Sequence, residues 1–324
     1  MHTQKSVIMN KFKCYFILLI TTVSFFSCTK NSVPVVPPRE FSAQYATDVA
    51  DIEEYLKTNF ITVIDHPGFV DDQDITISKI TAGETSIWDQ KVFELKSREV
   101  SLHDITYKIY YLVLRQGVGN SPSNVDGVLA AYKGNYLQRV TLGTDIGVFA
   151  TDFEKVQYPQ QFLSLLSTIS GWGEIFPQFK TGTNTSNDDG TINHSDFGAG
   201  VMFLPSGLGY FNTGSGAIPA YAPLVFSFKL FEIQRLDQDG DGILSYLEDL
   251  NGDNYIKTLA TGIVNPDDTD GDGILDFLDK DDDGDNYSTA LEIKNSATGI
   301  AYPFADIPTC TSGKKNYLDV TCHP

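Results

Sequence analysis

The chain is expected to fold as an α+β protein: a body of β-strands preceded by one amphipathic helix and followed by a loop-rich acidic extension. Three stretches predict this. Residues 201 to 233, VMFLPSGLGYFNTGSGAIPAYAPLVFSFKLFEI, read as two apolar strands joined by a loop that carries Tyr210, Ile218, Pro219 and four glycines between Pro205 and Pro219. Residues 41 to 58 place Phe41, Tyr45, Val49, Ile52 and Leu56 at helical spacing on one face, with acids opposite. From Asp237 to Glu292 there are 17 acidic residues and two lysines, so this stretch holds 15 of the chain's 19 net negative charges.

Taken in order, the N-terminus comes first. Lys11 and Lys13 precede the apolar run 14 to 27, too short to span a bilayer comfortably, and Cys28 follows the small Ser27. This predicts a lipoprotein signal over residues 1–27 with lipidation at Cys28; ordinary cleavage and an uncleaved anchor are the alternatives, and Met9 is an alternative start. Residues 28–40, with several prolines, would form an extended tether. The 297 residues left after cleavage allow a sizeable core and two domains. The helix at 41 to 58 would pack on the body, a dimerising role being the alternative. DITISKI (74 to 80) and DITYKIYYLVL (104 to 114) read as strands beside the core, and VLAAYKGNYL (128 to 137) as another, carrying Tyr132. In GWGEIFPQFKTG (171 to 182), Trp172 precedes a short helical turn. The polar stretch 183 to 199 would be an exposed insertion. Cys310 and Cys322 are the thiols left outside the cytosol once Cys14 is cleaved away and Cys28 modified, and they are expected to pair.

Four elements in one order carry a resemblance: Val128-Leu-Ala-Ala-Tyr132-Lys-Gly134, Gly171-Trp172-Gly-Glu174, Leu204-Pro205-Ser-Gly-Leu-Gly-Tyr210, and Ile218-Pro219 with Leu224-Val225-Phe226. Together they resemble the FK506-binding (FKBP) type of peptidyl-prolyl isomerase, over residues 122 to 233, and the resemblance implies an antiparallel β-sheet wrapped on a short helix. The resemblance implies a pocket with Trp172 as floor, Tyr132, Phe149, Ile169 and Phe226 as walls, and Ile218 and Tyr210 as rim. It also implies that the Tyr210 hydroxyl and the Ile169 amide meet a substrate carbonyl. Two departures stand out. The family's Phe-Asp pair finds its best match in Phe149-Ala150, and Phe211 stands where the family has a glycine after the loop tyrosine.

The acidic stretch has spacing as well as charge. Asp237, Asp239, Asp241, Ile243, Ser245 and Glu248 occupy positions 1, 3, 5, 7, 9 and 12 of the twelve-residue calcium loop, with Gly242 at 6. The pattern recurs at Asp268, Asp270, Asp272, Ile274, Asp276 and Asp279, and at Asp281, Asp283, Asp285, Tyr287, Thr289 and Glu292, with a partial copy at Asp249-Leu-Asn251-Gly-Asp253. Asn286 replaces the position-6 glycine in the last full copy. Asp268 and Asp281 are 13 residues apart, which leaves no room for paired EF-hand helices. The segment instead resembles the aspartate-rich repeats of thrombospondin type 3 modules, in which bound calcium replaces a core; Ile243, Leu244, Leu247, Ile274, Leu275 and Phe277 are the apolar residues available here.

These readings predict an isomerase of X-Pro bonds in proteins outside the cytoplasm, needing no cofactor for catalysis, with structural calcium in the extension. It would be lipid-anchored in a bacterial cell envelope, at the outer membrane. The rival is a non-catalytic peptide-binding module, as a chaperone or adhesion element. Because the three loops follow the last pocket residue, calcium is expected to organise 237–292 without being needed for catalysis. No G-x-S-x-G, P-loop or zincin motif is present, and the acidic balance argues against nucleic acid as a partner.

Overall fold

The computed structural model describes residues 37–322, apart from 144 and 261. The expected signal, Cys28 and most of the tether lie outside the described residues. From Arg39 onward the chain forms one compact unit. Among the described residues no helix is long and apolar enough to cross a membrane.

Helix α1 (Phe41–Thr58) runs directly into β1 (Asn59–Val63), which pairs with β2 (Ile75–Lys79) in a small hairpin sheet. The main sheet is wholly antiparallel. It contains β3 (Glu94–Leu102), β4 (Ile105–Arg115), β5 (Gly127–Leu142), β6 (Asp145–Val156), β7 (Leu163–Ser164), β10 (Gly198–Leu204) and β11 (Leu224–Gln234), in the order β3-β4-β10-β11-β5-β6, with β7 beside β5. Helix α2 (Ser170–Ile175) lies between β7 and the exposed hairpin of β8 (Thr183–Ser186) and β9 (Ile192–Ser195). That hairpin fills most of the stretch 183 to 199 expected as an exposed insertion, whereas Phe197 and Ala199 at its end are buried, where the chain enters β10. Its strands are polar on both faces, so the alternation of apolar and polar residues that marks a half-buried strand is absent.

Burial of β10 explains its unbroken apolar sequence. Met202 and Leu204 join the cluster with Trp172, Ile175 and Phe176 on one face of the sheet, while Val201 and Phe203 join Ile52, Tyr55 and Leu56 of α1 on the other. A strand covered on both sides needs no polar face.

The buried stripe of α1 is partly polar. Ile52, Tyr55 and Leu56 are buried as hydrophobic residues, but so are Gln44 and Asp48. Asp48 Oδ2 accepts hydrogen bonds from the Ser206 N–H at 2.7 Å and the Ser206 Oγ at 2.6 Å, and its Oδ1 accepts one from Gln44 Nε2 at 2.6 Å. Burial holds the Asp48 carboxyl above the ordinary range. The helix is thereby fastened to the start of the loop that carries Tyr210.

After β11 the chain folds into short 3-10 turns, including Ser245–Leu247 and Asp276–Leu278, and a single-turn helix α3 (Thr289–Glu292). Its apolar residues divide between two small cores. Ile256, Leu275 and Phe277 pack on Val125 of the body, and Ile243 packs with Ile293, Ile307 and Tyr317. Leu244 and Ile274, expected in the core, are 37% and 46% exposed, because each loop turns only one of its two consecutive apolar residues inward. The C-terminal tail is therefore part of the extension, and a disulfide joins Cys310 to Cys322 with Cα atoms 6.1 Å apart.

Asp48→Ala leaves the buried Ser206 amide and hydroxyl without their acceptor and should destabilise the body by about 1 to 3 kcal/mol. Urea unfolding measures this directly; an unchanged midpoint would show that the carboxylate does not hold the loop.

Candidate functional site

Between α2, β5, β6, β11 and the loop after β10 lies a cavity of about 510 Å³ lined by Tyr132, Phe153, Glu154, Leu163, Ser167, Thr168, Ile169, Ser170, Trp172, Gly209, Tyr210 and Phe226. Trp172 is buried at its base. Its ring meets those of Tyr132 at 5.0 Å and Phe226 at 5.3 Å, both edge to face. The short helix stands close enough to β10 to hold the indole there because residue 171 is glycine: a Cβ would meet Leu204 Cδ1 at 2.5 Å. Ile169 sits just before α2 with extended backbone. Of the seven residues expected in this pocket, Tyr132, Ile169, Trp172, Tyr210 and Phe226 line the cavity. Ile218 is buried in the same apolar cluster under the rim, where it exchanges backbone hydrogen bonds with Ser215.

Phe149 is elsewhere. It lies opposite Gln138 on β6, with the Lys79 ammonium 5.2 Å from its ring centroid, roughly 13 Å along the strand from residue 153. Phe153 fills the expected place, its ring 5.7 Å edge to face from Phe226. A register shift between Gly134 and Asn135 puts Glu154 opposite Gly134 and Asp152 opposite Asn135, so Phe153 is the extra residue of a bulge. Its ring crosses Gly134, where a Cβ would meet Phe153 Cζ at 2.4 Å. The pair following the first strand is therefore Phe153-Glu154, and the carboxylate is present as glutamate. Burial pushes the Tyr132 hydroxyl up to about 12, with the Glu154 carboxylate next to it adding to the effect. Sequence reading missed this pair for want of the bulge, although the dipeptide Phe-Glu was the available signal.

The loop from Ser206 to Ala222 holds Tyr210 at the rim. Phe211 has φ of +40°, in the left-handed region that glycine favours. Stacking compensates: the Phe211 ring lies 4.1 Å from that of Phe41 on α1 and 5.2 Å from that of Tyr221, and its backbone N–H and carbonyl bond to Ser206 and Tyr221. The residue that departs from the family pattern is thus anchored by α1.

The acidic loops share one backbone pattern. In the first, Asp237 accepts from the Gly240 and Gly242 amides, Asp239 from that of Asp241, and Asp241 from that of Ile243. The same bonds recur from Asp268, Asp270 and Asp272 and, in the partial copy, from Asp249, Asn251 and Asp253. Asn286 takes φ of +75°, matching the positive φ of Gly242 and Gly273, as asparagine tolerates better than most residues. Asp237, Asp239 and Asp241 converge with candidate ligand oxygens within 4.8 Å of one another, as do Asp268, Asp270 and Asp272, and Asp281, Asp283 and Asp285. Glu292 faces the third group, and Asp279 lies near Asp270 of the second. The residues at position 9 turn away: Ser245, Asp276 and Thr289 accept hydrogen bonds from the backbone amides of Gln238, Thr269 and Asp282. Ile243, Ile274 and Tyr287 hold position 7, at which the twelve-residue pattern uses the backbone carbonyl. Buried oxygens of Asp239, Asp241, Glu248, Asp283 and Glu292 have no hydrogen-bond partner. A hard cation with six to eight oxygen ligands fits such a donor set.

The chain is 27% identical over 169 residues to the FKBP-type peptidyl-prolyl cis-trans isomerase FkpA of Aeromonas hydrophila, an alignment covering 51% of this chain and 54% of that protein. The chain is homologous to FkpA-type FKBP isomerases. It spans about half the length of that curated relative. Two solved structures are similar: a peptidyl-prolyl cis-trans isomerase from Pseudomonas syringae pv. tomato (23% identity, 43% of this chain and 81% of that one, TM-score 0.30) and FkpA from Escherichia coli (25%, 39% and 48%, TM-score 0.28). Residues 238–317 match a family model described as BamM C-terminal, so the match runs through both the acidic loops and the tail.

Two measurements follow. Gly134→Ala should push the Phe153 ring out of its place and lower the midpoint of urea unfolding; an unaltered midpoint would show that the close approach does not matter. In chelator, burial pushes Glu292, Glu248 and Asp282 up to about 8, about 9 and about 10, above unfolded values of about 4. The folded extension then holds protons that the unfolded chain releases, so its stability is greatest below about pH 4 and is lost as pH rises through about 8 to 10. Melting of chelated protein should occur at lower temperature at pH 9 than at pH 5, and the opposite order would contradict the burial.

Proposed function

We propose that the protein is a peptidyl-prolyl cis-trans isomerase acting on X-Pro bonds of proteins outside the cytoplasm, with an extension organised by calcium. The observation that carries this reading is the aromatic cavity floored by Trp172 and rimmed by Tyr210. An X-Pro amide turns slowly because resonance sets a barrier of about 18 to 20 kcal/mol. The twisted amide has lost that resonance and carries less charge on its carbonyl oxygen. A dry aromatic cavity that grips the proline ring favours the twisted form over the planar one, and neither acid nor base is required. Tyr132, Phe153 and Phe226 supply the walls above Trp172, while the Tyr210 hydroxyl and the Ile169 amide would hold the flanking carbonyls. The rival reading is a non-catalytic binder that lacks the acidic member of the family pair; Glu154 beside the Tyr132 hydroxyl supports the catalytic reading by offering a carboxylate there.

Location rests on the signal-like run before Cys28, which would leave a lipid-anchored protein in a bacterial envelope, at the outer membrane. Calcium in the extension is supported by the repeated loop geometry and the unpartnered buried carboxylates. Extracellular calcium modules bind at about 10⁻⁴ to 10⁻³ M, so such loops would be filled outside the cell.

An isomerisation assay on a peptide with an apolar residue before proline tests the activity. The full mature chain should accelerate exchange and FK506 should block it. Tyr210→Phe should reduce kcat/KM by about 2- to 10-fold, the worth of one hydrogen bond of ~0.5 to 1.5 kcal/mol. Trp172→Ala should reduce it further, whereas His194→Ala, whose ring stacks on Phe231 in the β8–β9 hairpin region, should not. Equal losses from all three would sink the pocket assignment.

A further inference from the structure

One carboxylate cluster in the extension belongs to no single loop. Asp241 and Glu248 come from the first loop and Asp282 from the third, yet their candidate ligand oxygens lie within 4.8 Å of one another. Asp282 occupies position 2, which has no ligand role in the twelve-residue pattern; its counterparts are Gln238 and Thr269. Asp282 and Glu248 are each 1% exposed and Asp241 is 4% exposed. Both oxygens of Glu248, both of Asp282 and Oδ2 of Asp241 have no hydrogen-bond partner. Among the described residues no lysine or arginine pairs with any of the three.

Such an arrangement is costly without a counter-charge. An ionised carboxylate buried without a partner loses several kcal/mol of hydration, and three together also repel. With Asp237 and Asp239 beside Asp241, and the buried Asp276 acting on both Glu248 and Asp282, six carboxylates gather at one end of the extension. A single divalent ion would leave a charge of −4 there, and two would leave −2. Oxygen-only donors in a dry setting select a hard cation.

We propose that Asp241, Glu248 and Asp282 bind a further calcium ion, adjacent to the ion of the first loop and sharing Asp241 with it, so that the first and third loops are clamped together. The proposal rests on the calcium reading of the loops. Asp282 is the diagnostic residue, since its side chain stands outside the Asp281–Asp283–Asp285 group and its backbone amide already bonds Thr289 Oγ at 3.3 Å.

Equilibrium dialysis of the full mature chain against millimolar calcium counts the ions bound. Asp282→Asn, which keeps size and the backbone bond, should lower the count by one and leave the ions of the second and third loops in place. Wild-type protein that takes up no calcium overturns both the loop reading and the clamp. Calcium uptake with the same count and affinity in Asp282→Asn overturns the clamp alone. Should the variant fail to fold, wild-type crystals grown in calcium decide the matter. An anomalous peak about 2.3 to 2.6 Å from oxygens of Asp241, Glu248 and Asp282 is the expected result, and peaks confined to the individual loops would refute it.

Discussion

Glu174 is the point at which the body and the extension depend on one another. It lies on α2 two residues after Trp172 and is largely buried, so its charge needs partners. Oε2 accepts from Arg98 Nε of β3 at 2.8 Å, Oε1 pairs with Lys257 Nζ of the extension at 2.8 Å, and the backbone carbonyl accepts from the Tyr255 hydroxyl at 2.8 Å. Arg98 also stacks its guanidinium 3.6 Å from the Tyr255 ring centroid. The helix that floors the pocket is thus gripped from the sheet on one side and from the acidic extension on the other. A neighbouring set of bonds between Asn124 and Asn254 and Ile256 continues the same seam.

This seam bears on the expectation that calcium leaves the pocket untouched. The residues lining the cavity all belong to the body, and nothing in the chemistry of amide rotation asks for a metal. Position is another matter. Lys257 and Tyr255 follow the partial loop Asp249–Asp253 directly, so whatever orders that stretch also sets how firmly α2 is held. A similar logic governs the rim, where Phe41 of α1 supports the left-handed Phe211 and Asp48 holds Ser206. The pocket is a simple aromatic bowl whose floor and rim are each braced by segments added outside its own sheet.

How much the sequence reveals depends on whether a residue's role is local. The span of α1 is readable from periodicity, and the two strands around the Tyr210 loop from their apolar runs, since β10 is covered on both faces. Trp172 and Tyr210 are found from the family resemblance, which places them in Gly171-Trp172-Gly-Glu174 and Leu204-Pro205-Ser-Gly-Leu-Gly-Tyr210. Phe153 is not, because Phe149-Ala150 is the pair that matches the family pattern, and only the one-residue bulge in the folded register brings the Phe153 ring over Gly134. Asp48 escapes for another reason: an acid on a helix reads as solvent-facing until its partner, 158 positions away, is known. Asp282 sits at a loop position with no ligand role, so only the folding of the third loop onto the first reveals what it faces.

On the proposed calcium reading, ions in the extension would hold α2 as well as their own loops. Amide hydrogen exchange of the full mature chain, with calcium and in chelator, reads both at once. The account predicts that calcium slows exchange across residues 237–292 and also in Ser170–Ile175 and the 121–126 segment. If chelation accelerates exchange in the acidic loops while Ser170–Ile175 is unaffected, the two parts are independent and the claim is contradicted.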